Sequence, residues 1–357
     1  MTPTLIDLYS GCGGVTAGFK NQGFQVLAAV EWEHTAAQTY VQNHPEVTMY
    51  ENDIRNIKPA DVMKHLQLQP GDLTVLSACA PCQPFSRQNR VNKDGGRTKL
   101  ILEVLPFADI FRPKFILMEN VPGLNKGENK KILDQLSKAL SEKYGYKVSG
   151  PFIVDAVNYG VPQFRKRLIV LCSREDISLS VPEITHLAPK EAKKASKQEW
   201  STVEGAFKGI GKLASGQKSR TDPLHKARKH TELNLERLQY IPKNGGSRDS
   251  LPERLQLVCH KNKDAGYKDV YGRMDFSRPA NTLTTGCTNF TKGRYAHPTA
   301  NRAITPREAA RLQTFPDEYK FVGGYDQISV QIGNAVPVLL AEAFAKYLLQ
   351  FQVPQSQ

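Results

Sequence analysis

Apolar residues along the first half of the chain come in short blocks separated by longer amphipathic stretches. Residues 5–9 (Leu-Ile-Asp-Leu-Tyr) form a strand-like run that leads through glycines into a helical pattern ending near Asn21. Residues 26–30 repeat the strand pattern, and a helix through Asn43 follows. Residues 72–76 predict another strand, then a long polar loop, a helix over about 100–111, and a strand over 115–118. Near-continuous apolar strands alternating with helices predict βαβ units and a mostly parallel sheet covered on both faces. Ligands bind such sheets beyond the carboxyl ends of the strands.

Composition adds a second region. At 357 residues the chain has the length of about two domains, and Lys plus Arg outnumber Asp plus Glu by 48 to 35. Residues 186–300 hold 22 of those cations and only 11 acids, so most of the excess charge sits there. The expected division is 1–185 with 301–357 as one domain and 186–300 as a basic insert, which begins after the strand-like residues 168–172. An isolated charge run is usually a solvated surface. Clustering within one domain points instead to an anionic partner such as nucleic acid. No apolar run has membrane-spanning length, and the start Met1-Thr2-Pro3-Thr4 has no export-signal pattern, so the cytoplasm is expected. Six cysteines are too sparse for a disulfide framework.

Four motifs fall at predicted strand ends. Tyr9-Ser10-Gly11-Cys12-Gly13-Gly14 follows the first strand, where glycine permits a sharp turn and close approach to a ligand. Glu31 ends the second strand at the spacing of an acid that accepts ribose hydroxyls, although Thr16 stands where a dinucleotide motif has its third glycine, and an exposed acid is an equal reading. Ala80-Pro81-Cys82-Gln83-Pro84 holds a thiol between prolines, ahead of a polar, basic loop running to Gly95-Gly96. A thiolate there suits nucleophilic attack; a packed cysteine or a Cys79/Cys82 redox pair are the alternatives. Met118-Glu119-Asn120-Val121 puts a carboxyl at the same edge. Gln163-Phe164-Arg165-Lys166-Arg167, read as extended, puts two guanidiniums on one face, suited to phosphates or carboxylates.

These motifs in this order, with Thr305-Pro306-Arg307-Glu308 through Phe315-Pro316 and Gln331-Ile332-Gly333-Asn334-Ala335-Val336, resemble the DNA (cytosine-5) methyltransferases over nearly the whole chain. Tyr9 stands where that family usually has Phe. The resemblance implies an α/β, Rossmann-like S-adenosylmethionine-dependent methyltransferase fold with a smaller basic target-recognition domain. It implies attack of Cys82 on C6 of cytosine, protonation or hydrogen bonding at N3 by Glu119, and a flipped nucleotide held by Arg165 and Arg167. Gln83, Ser86, Arg87, Asn120, Gln163 and Thr282 are implied as substrate contacts. Around S-adenosylmethionine it implies Tyr9, Ser10, Gly11, Cys12, Gly13, Glu31, Trp32, Asp53, Ile54, Pro81, Leu100, Asn334 and Val336, with S-adenosylhomocysteine as product. The C-terminal segment must then return to the first domain, with a helix over 337–350.

The implied partner is double-stranded DNA, with a restriction endonuclease as functional companion. No metal or membrane is expected, and a monomer suffices for one flipped base. Methylation of tRNA by the same chemistry is the nearest rival activity. No recognisable element in 186–300 spells out a target site.

Overall fold

The computed structural model describes residues 2–81, 97–258 and 269–351, and the chain divides into two units. The first comprises Met1–Ala156, Lys166–Ile184 and Val338–Gln357, the second Val157–Arg165 and Thr185–Pro337. The second unit thus extends past residue 300, where charge alone placed its end. The reason is packing: within it Arg302 donates to the Leu213 carbonyl and Arg307 pairs with Asp222, so residues 301–337 are tied to the basic region.

In the first unit the chain runs β1 (Thr4–Leu8), α1 (Gly14–Asn21), β2 (Gln25–Glu31), α2 (His34–Asn43), β3 (Thr48–Glu51), α3 (Pro59–His65), β4 (Val75–Ala78), α4 (Val104–Phe111), β5 (Phe115–Asn120), α5 (Glu128–Lys138), β6 (Lys147–Asp155) and β7 (Lys166–Ser173). The seven strands form one sheet in the order β3-β2-β1-β4-β5-β7-β6. The first five are parallel, while β7 is antiparallel to β5 and to β6. Parallel strands need crossover helices on the faces, which explains why β1, β4 and β5 are buried along most of their length. The expected mostly parallel α/β sheet is therefore present.

Two strands depart from the periodicity. β4 starts three residues after the predicted strand, so Ser77 and Ala78 belong to it. β6 has no clear sequence signal because Gly150-Pro151 interrupts it, with a shift of register between Ser149 and Phe152. The last helix of the chain, Val338–Leu349, returns to the first unit as expected and packs on α1. Gly18 allows the approach: a Cβ there would lie 2.6 Å from the Val338 carbonyl oxygen.

Among its described residues the second unit has little regular sheet. It contains β8 (His186–Leu187), α6 (Pro189–Ala195), β9 (Gln198–Glu199), α7 (Val203–Phe207), α8 (Glu232–Tyr240), α9 (Pro306–Leu312) and α10 (Tyr325–Asn334), which makes the returning helix α11. Elsewhere its backbone meets in isolated bridges such as Gln163 with Ala280 and Arg273 with Ala296. A small core gathers Leu238, Ile241, Leu251, Leu255, Tyr271 and Phe290. Backbone carbonyls that no sheet can satisfy are met by buried arginines: Arg273 donates to the carbonyls of Leu238, Ile241, His297 and Ala300.

Candidate active site

The strand order reverses between β1 and β4, so the crevice beyond their carboxyl ends is where an open α/β sheet binds its ligand. At the end of β1 the chain turns through positive φ at Tyr9 (59°), Gly11 (54°) and Gly13 (92°), and Gly13 caps α1. The left-handed conformation lets the chain turn from strand to helix within a few residues, and glycine adopts it without steric cost. The Tyr9 hydroxyl donates to the Leu100 carbonyl at 2.5 Å, and Ser10 is buried with its N–H on the Val30 carbonyl. Beyond the α-carbon of Gly11 lies open space. Cys12 is buried, which pushes its thiol up to about 12.

Glu31 ends β2, and its carboxylate accepts the N–H groups of Gly11 (2.9 Å), Trp32 (3.0 Å) and Glu33 (2.8 Å). Burial raises its pKa, and these three donors work against that rise. The Trp32 side chain next to it is 58% exposed, unusual for an indole. Asp53 caps the short turn Ile54–Asn56 and pairs with Arg55, which holds its carboxyl below the ordinary carboxylate range. Ile54 is buried.

The residues expected to carry the chemistry follow the ends of β4 and β5. Glu119 is 12% exposed, and its Oε1 lies 2.6 Å from Nε of Arg167, itself 9% exposed. The pairing follows from sheet register: Asn120 of β5 faces Leu168 of β7, which brings the first residues of β7 beside Glu119. The Asn120 amide donates to the Ala80 carbonyl at 3.1 Å and its oxygen accepts the Val121 N–H, so this side chain holds the stem that leads through Pro81. Cys82, Gln83, Ser86 and Arg87 lie outside the described residues. Cys79 is largely buried beside Ser77, and burial, with the charges of Glu119 and Asp7, raises its thiol well above the ordinary range.

Arg165 and Arg167, read from the sequence as one pair, take different partners. Arg165 is 2% exposed and belongs to the second unit, where it donates to the carbonyls of Leu283, Gly333 and Ala335. The extended segment expected through Arg167 becomes a strand only at Lys166, so two residues of equal spacing serve different units. Gln163 is likewise buried, spending its amide on the Leu312 carbonyl, Gln313 and the Leu283 N–H. The Thr282 hydroxyl donates to the Phe164 carbonyl at 2.6 Å. Asn334 is exposed at the end of α10, and Val336 follows it, mostly buried. Among the described residues no group of three His, Cys, Asp or Glu side chains gathers as a metal site would.

One buried group was not singled out from the sequence. Asp7 sits within the apolar run of β1 and accepts the Thr16 hydroxyl at 2.9 Å, while Thr16 meets the Tyr40 hydroxyl at 2.7 Å. Its burial outweighs hydrogen bonds from Thr16 and Ser77 and raises the carboxyl to about 7. An acid inside a parallel-strand apolar run was the available signal.

Comparison with known proteins places this arrangement. The family model of C-5 cytosine-specific DNA methylases matches residues 4–350. The chain is 33% identical to the type II methylase M.HgiDII of Herpetosiphon aurantiacus, over 98% of this chain and 96% of that protein. It is 31% identical to the type II methyltransferase M1.HphI of Haemophilus parahaemolyticus, over 98% and 87% respectively. Among solved structures, a candidate DNA modification methyltransferase encoded within an E. coli prophage superposes with a TM-score of 0.75 at 22% identity, covering 98% of this chain and 99% of that one. The chain belongs to the C-5 cytosine-specific DNA methylase family and is a DNA (cytosine-5)-methyltransferase dependent on S-adenosylmethionine.

Proposed function

We propose that this enzyme methylates C5 of a cytosine flipped out of duplex DNA, with Cys82 as nucleophile and Glu119 as the activating acid. The observation that carries the reading is the nearly dry Glu119–Arg167 pair at the end of β5, which Asn120 links to the stem before Cys82. Cytosine C5 is a weak nucleophile. Addition of the Cys82 thiolate to C6 moves an electron pair toward C5 and N3, and Glu119 supports the charge arriving at N3 by donating a proton or a hydrogen bond. Arg167 holds the Glu119 carboxyl in place and supplies a positive field at the ring. S-adenosylmethionine supplies the methyl group that C5 takes. Loss of the C5 proton to a base then lets the C6–S bond break and returns the thiolate.

The first unit suits that methyl donor. A carboxylate has about four lone-pair sites, and three are used at Glu31, leaving one for a ribose hydroxyl. The well-exposed Trp32 packs on adenine in this reading, the space over Gly11 admits the methionine part, and Asp53, Ile54, Pro81 and Leu100 complete the contacts. Asn334 and Val336 are proposed as further contacts of the cofactor. The basic second unit is proposed to read the DNA, the enzyme to act as a cytoplasmic monomer, and its methylation to protect DNA from a partner endonuclease.

The test uses duplex DNA with 5-fluorocytosine in the target position. Fluorine cannot leave C5 as a proton does, so the wild type with S-adenosylmethionine accumulates a protein–DNA adduct visible as a mass increase. Cys82→Ser should form no adduct and no methylated product while still binding DNA. Full turnover by Cys82→Ser would remove the thiol from the mechanism, and methylation of tRNA in place of DNA would change the substrate.

A further inference from the structure

A helix leaves its last carbonyls without intrahelical donors. At the end of α10 these carbonyls are taken by two buried side chains from distant parts of the second unit. Gln313 donates through Nε2 to the carbonyls of Ile332 (2.6 Å) and Ala335 (3.1 Å). Arg165 donates through Nη2 to Gly333 (3.1 Å) and Ala335 (2.9 Å), placing a cation at the negative end of the helix dipole. The Ala335 carbonyl, which both side chains grip, lies between Asn334 and Val336 in the chain. The same side chains reach the segment around Leu283. Arg165 Nη1 donates to the Leu283 carbonyl at 2.9 Å, and Gln163 accepts the Leu283 N–H at 2.8 Å while donating to Gln313 at 3.0 Å. Gly333 closes the contact, since a Cβ there would lie 2.2 Å from the Thr284 carbonyl oxygen.

We propose that Arg165 and Gln313 are positioning residues that fix the conformation of residues 332–336 and thereby the affinity for S-adenosylmethionine, rather than contacts to the flipped nucleotide. This rests on the reading that Asn334 and Val336 contact the cofactor. The physical argument is one of donor counting. A guanidinium whose Nη atoms serve three backbone carbonyls is a poor candidate to reach a nucleotide, whereas withdrawing it frees the carbonyls on both sides of Asn334 to rotate toward water. Lysine keeps the charge but cannot span acceptors in two segments with a rigid fork. Methionine at 313 keeps the volume and removes both donors.

The experiment measures S-adenosylmethionine binding by equilibrium dialysis, and turnover at saturating cofactor and DNA, for Arg165→Lys, Gln313→Met and Asn334→Ala in the full chain. The expected result is a dissociation constant at least tenfold higher for both clamp variants, with the loss in turnover at saturation several times smaller than the loss in affinity. Unchanged cofactor affinity with reduced turnover would make Arg165 a nucleotide contact and overturn the proposal. Lower thermal stability with neither parameter changed would overturn it too, by reducing the clamp to scaffolding. If Arg165→Lys does not fold, Gln313→Met decides by the same criteria. Asn334→Ala, at an exposed position, reports on the underlying reading: unchanged affinity there removes the segment from the cofactor site. Weakened binding in Asn334→Ala with normal binding in the other two defeats the clamp alone.

Discussion

The two units satisfy their polar backbone in opposite ways. The first pairs its strands in a seven-stranded sheet and fills both faces with apolar side chains, Leu76 and Ile116 on one and Val75 and Phe115 on the other. Among its described residues the second has two-residue strands and isolated bridges, and its Arg165, Arg273 and Arg302 are the largest fully buried side chains. Their guanidiniums take the place of the missing ladder, each donating to several carbonyls. Charge differs in parallel. The first unit holds 21 Lys plus Arg against 20 Asp plus Glu, and the second 27 against 15. A regular sheet gives rigid strand ends on which catalytic groups can be set to within fractions of an ångström. An irregular scaffold tied by side chains can vary its surface without disturbing a ladder, which suits a surface that must match a particular DNA sequence.

If chemistry resides in the first unit, the largest effect should come from Glu119→Gln. Its amide keeps the shape but cannot deliver a carboxyl proton, and turnover should fall about 100-fold or more while cofactor binding and thermal stability stay near those of the wild type. Steady-state methyl transfer beside equilibrium cofactor binding checks this. A mere two-fold loss would place the activating group elsewhere.

The next effect contrasts the two ways of building a core. Arg302 makes two 2.8 Å bonds to Glu308, both side chains being 1% exposed, and burial alone would raise the Glu308 carboxyl that this pairing holds down. Arg302→Met leaves that carboxylate buried without its guanidinium, with the Thr305 N–H and His297 as its remaining partners, so the second unit should lose about 3–5 kcal/mol. Adding Glu308→Gln should recover part of the loss. Leu76→Ala in the sheet should cost a comparable ~2–5 kcal/mol through a cavity, with no polar change able to restore it. Each unit contains one tryptophan, Trp32 in the first and Trp200 in the second, so urea unfolding followed in single-tryptophan variants assigns each loss to its unit.

The smallest effect is a pH dependence confined to the first unit. Asp7 titrates near pH 7 when folded because it is buried, against about 3.9 when unfolded. Between those values the native state holds more protons than the unfolded chain, so this group's contribution to stability is full below about pH 4 and is lost as pH rises toward 7. Glu31, also raised by burial, contributes with the same sign. Urea midpoints measured from pH 4.5 to 7.5 should therefore fall less steeply in Asp7→Asn than in the wild type. Parallel slopes would mean that Asp7 ionises normally.

Much of the first unit was written in local sequence. Apolar blocks with glycine after the first and acids after the second and fourth place Gly11, Glu31 and Glu119 at one edge, because parallel strands put every carboxyl end on the same side. The basic character of residues 186–300 was equally legible, since it is compositional. What periodicity could not decide is where a polar side chain turns when either water or a buried carbonyl would satisfy it. Asn120, Gln163 and Thr282 have the residue types of substrate contacts, yet Asn120 and Thr282 bond the protein's own backbone and Gln163 bonds backbone and the Gln313 side chain. Arg165 and Arg167 stand two residues apart and look equivalent on an extended segment. Only the path of the chain at Lys166, where β7 enters the sheet, sends one to Glu119 and the other to the end of α10. Local sequence determined which chemistry the chain carries, because strand order and residue type suffice for that. Tertiary structure decided which cation pairs with Glu119 and which serves the backbone, because an orphaned carbonyl becomes visible only once the segments around it have been packed.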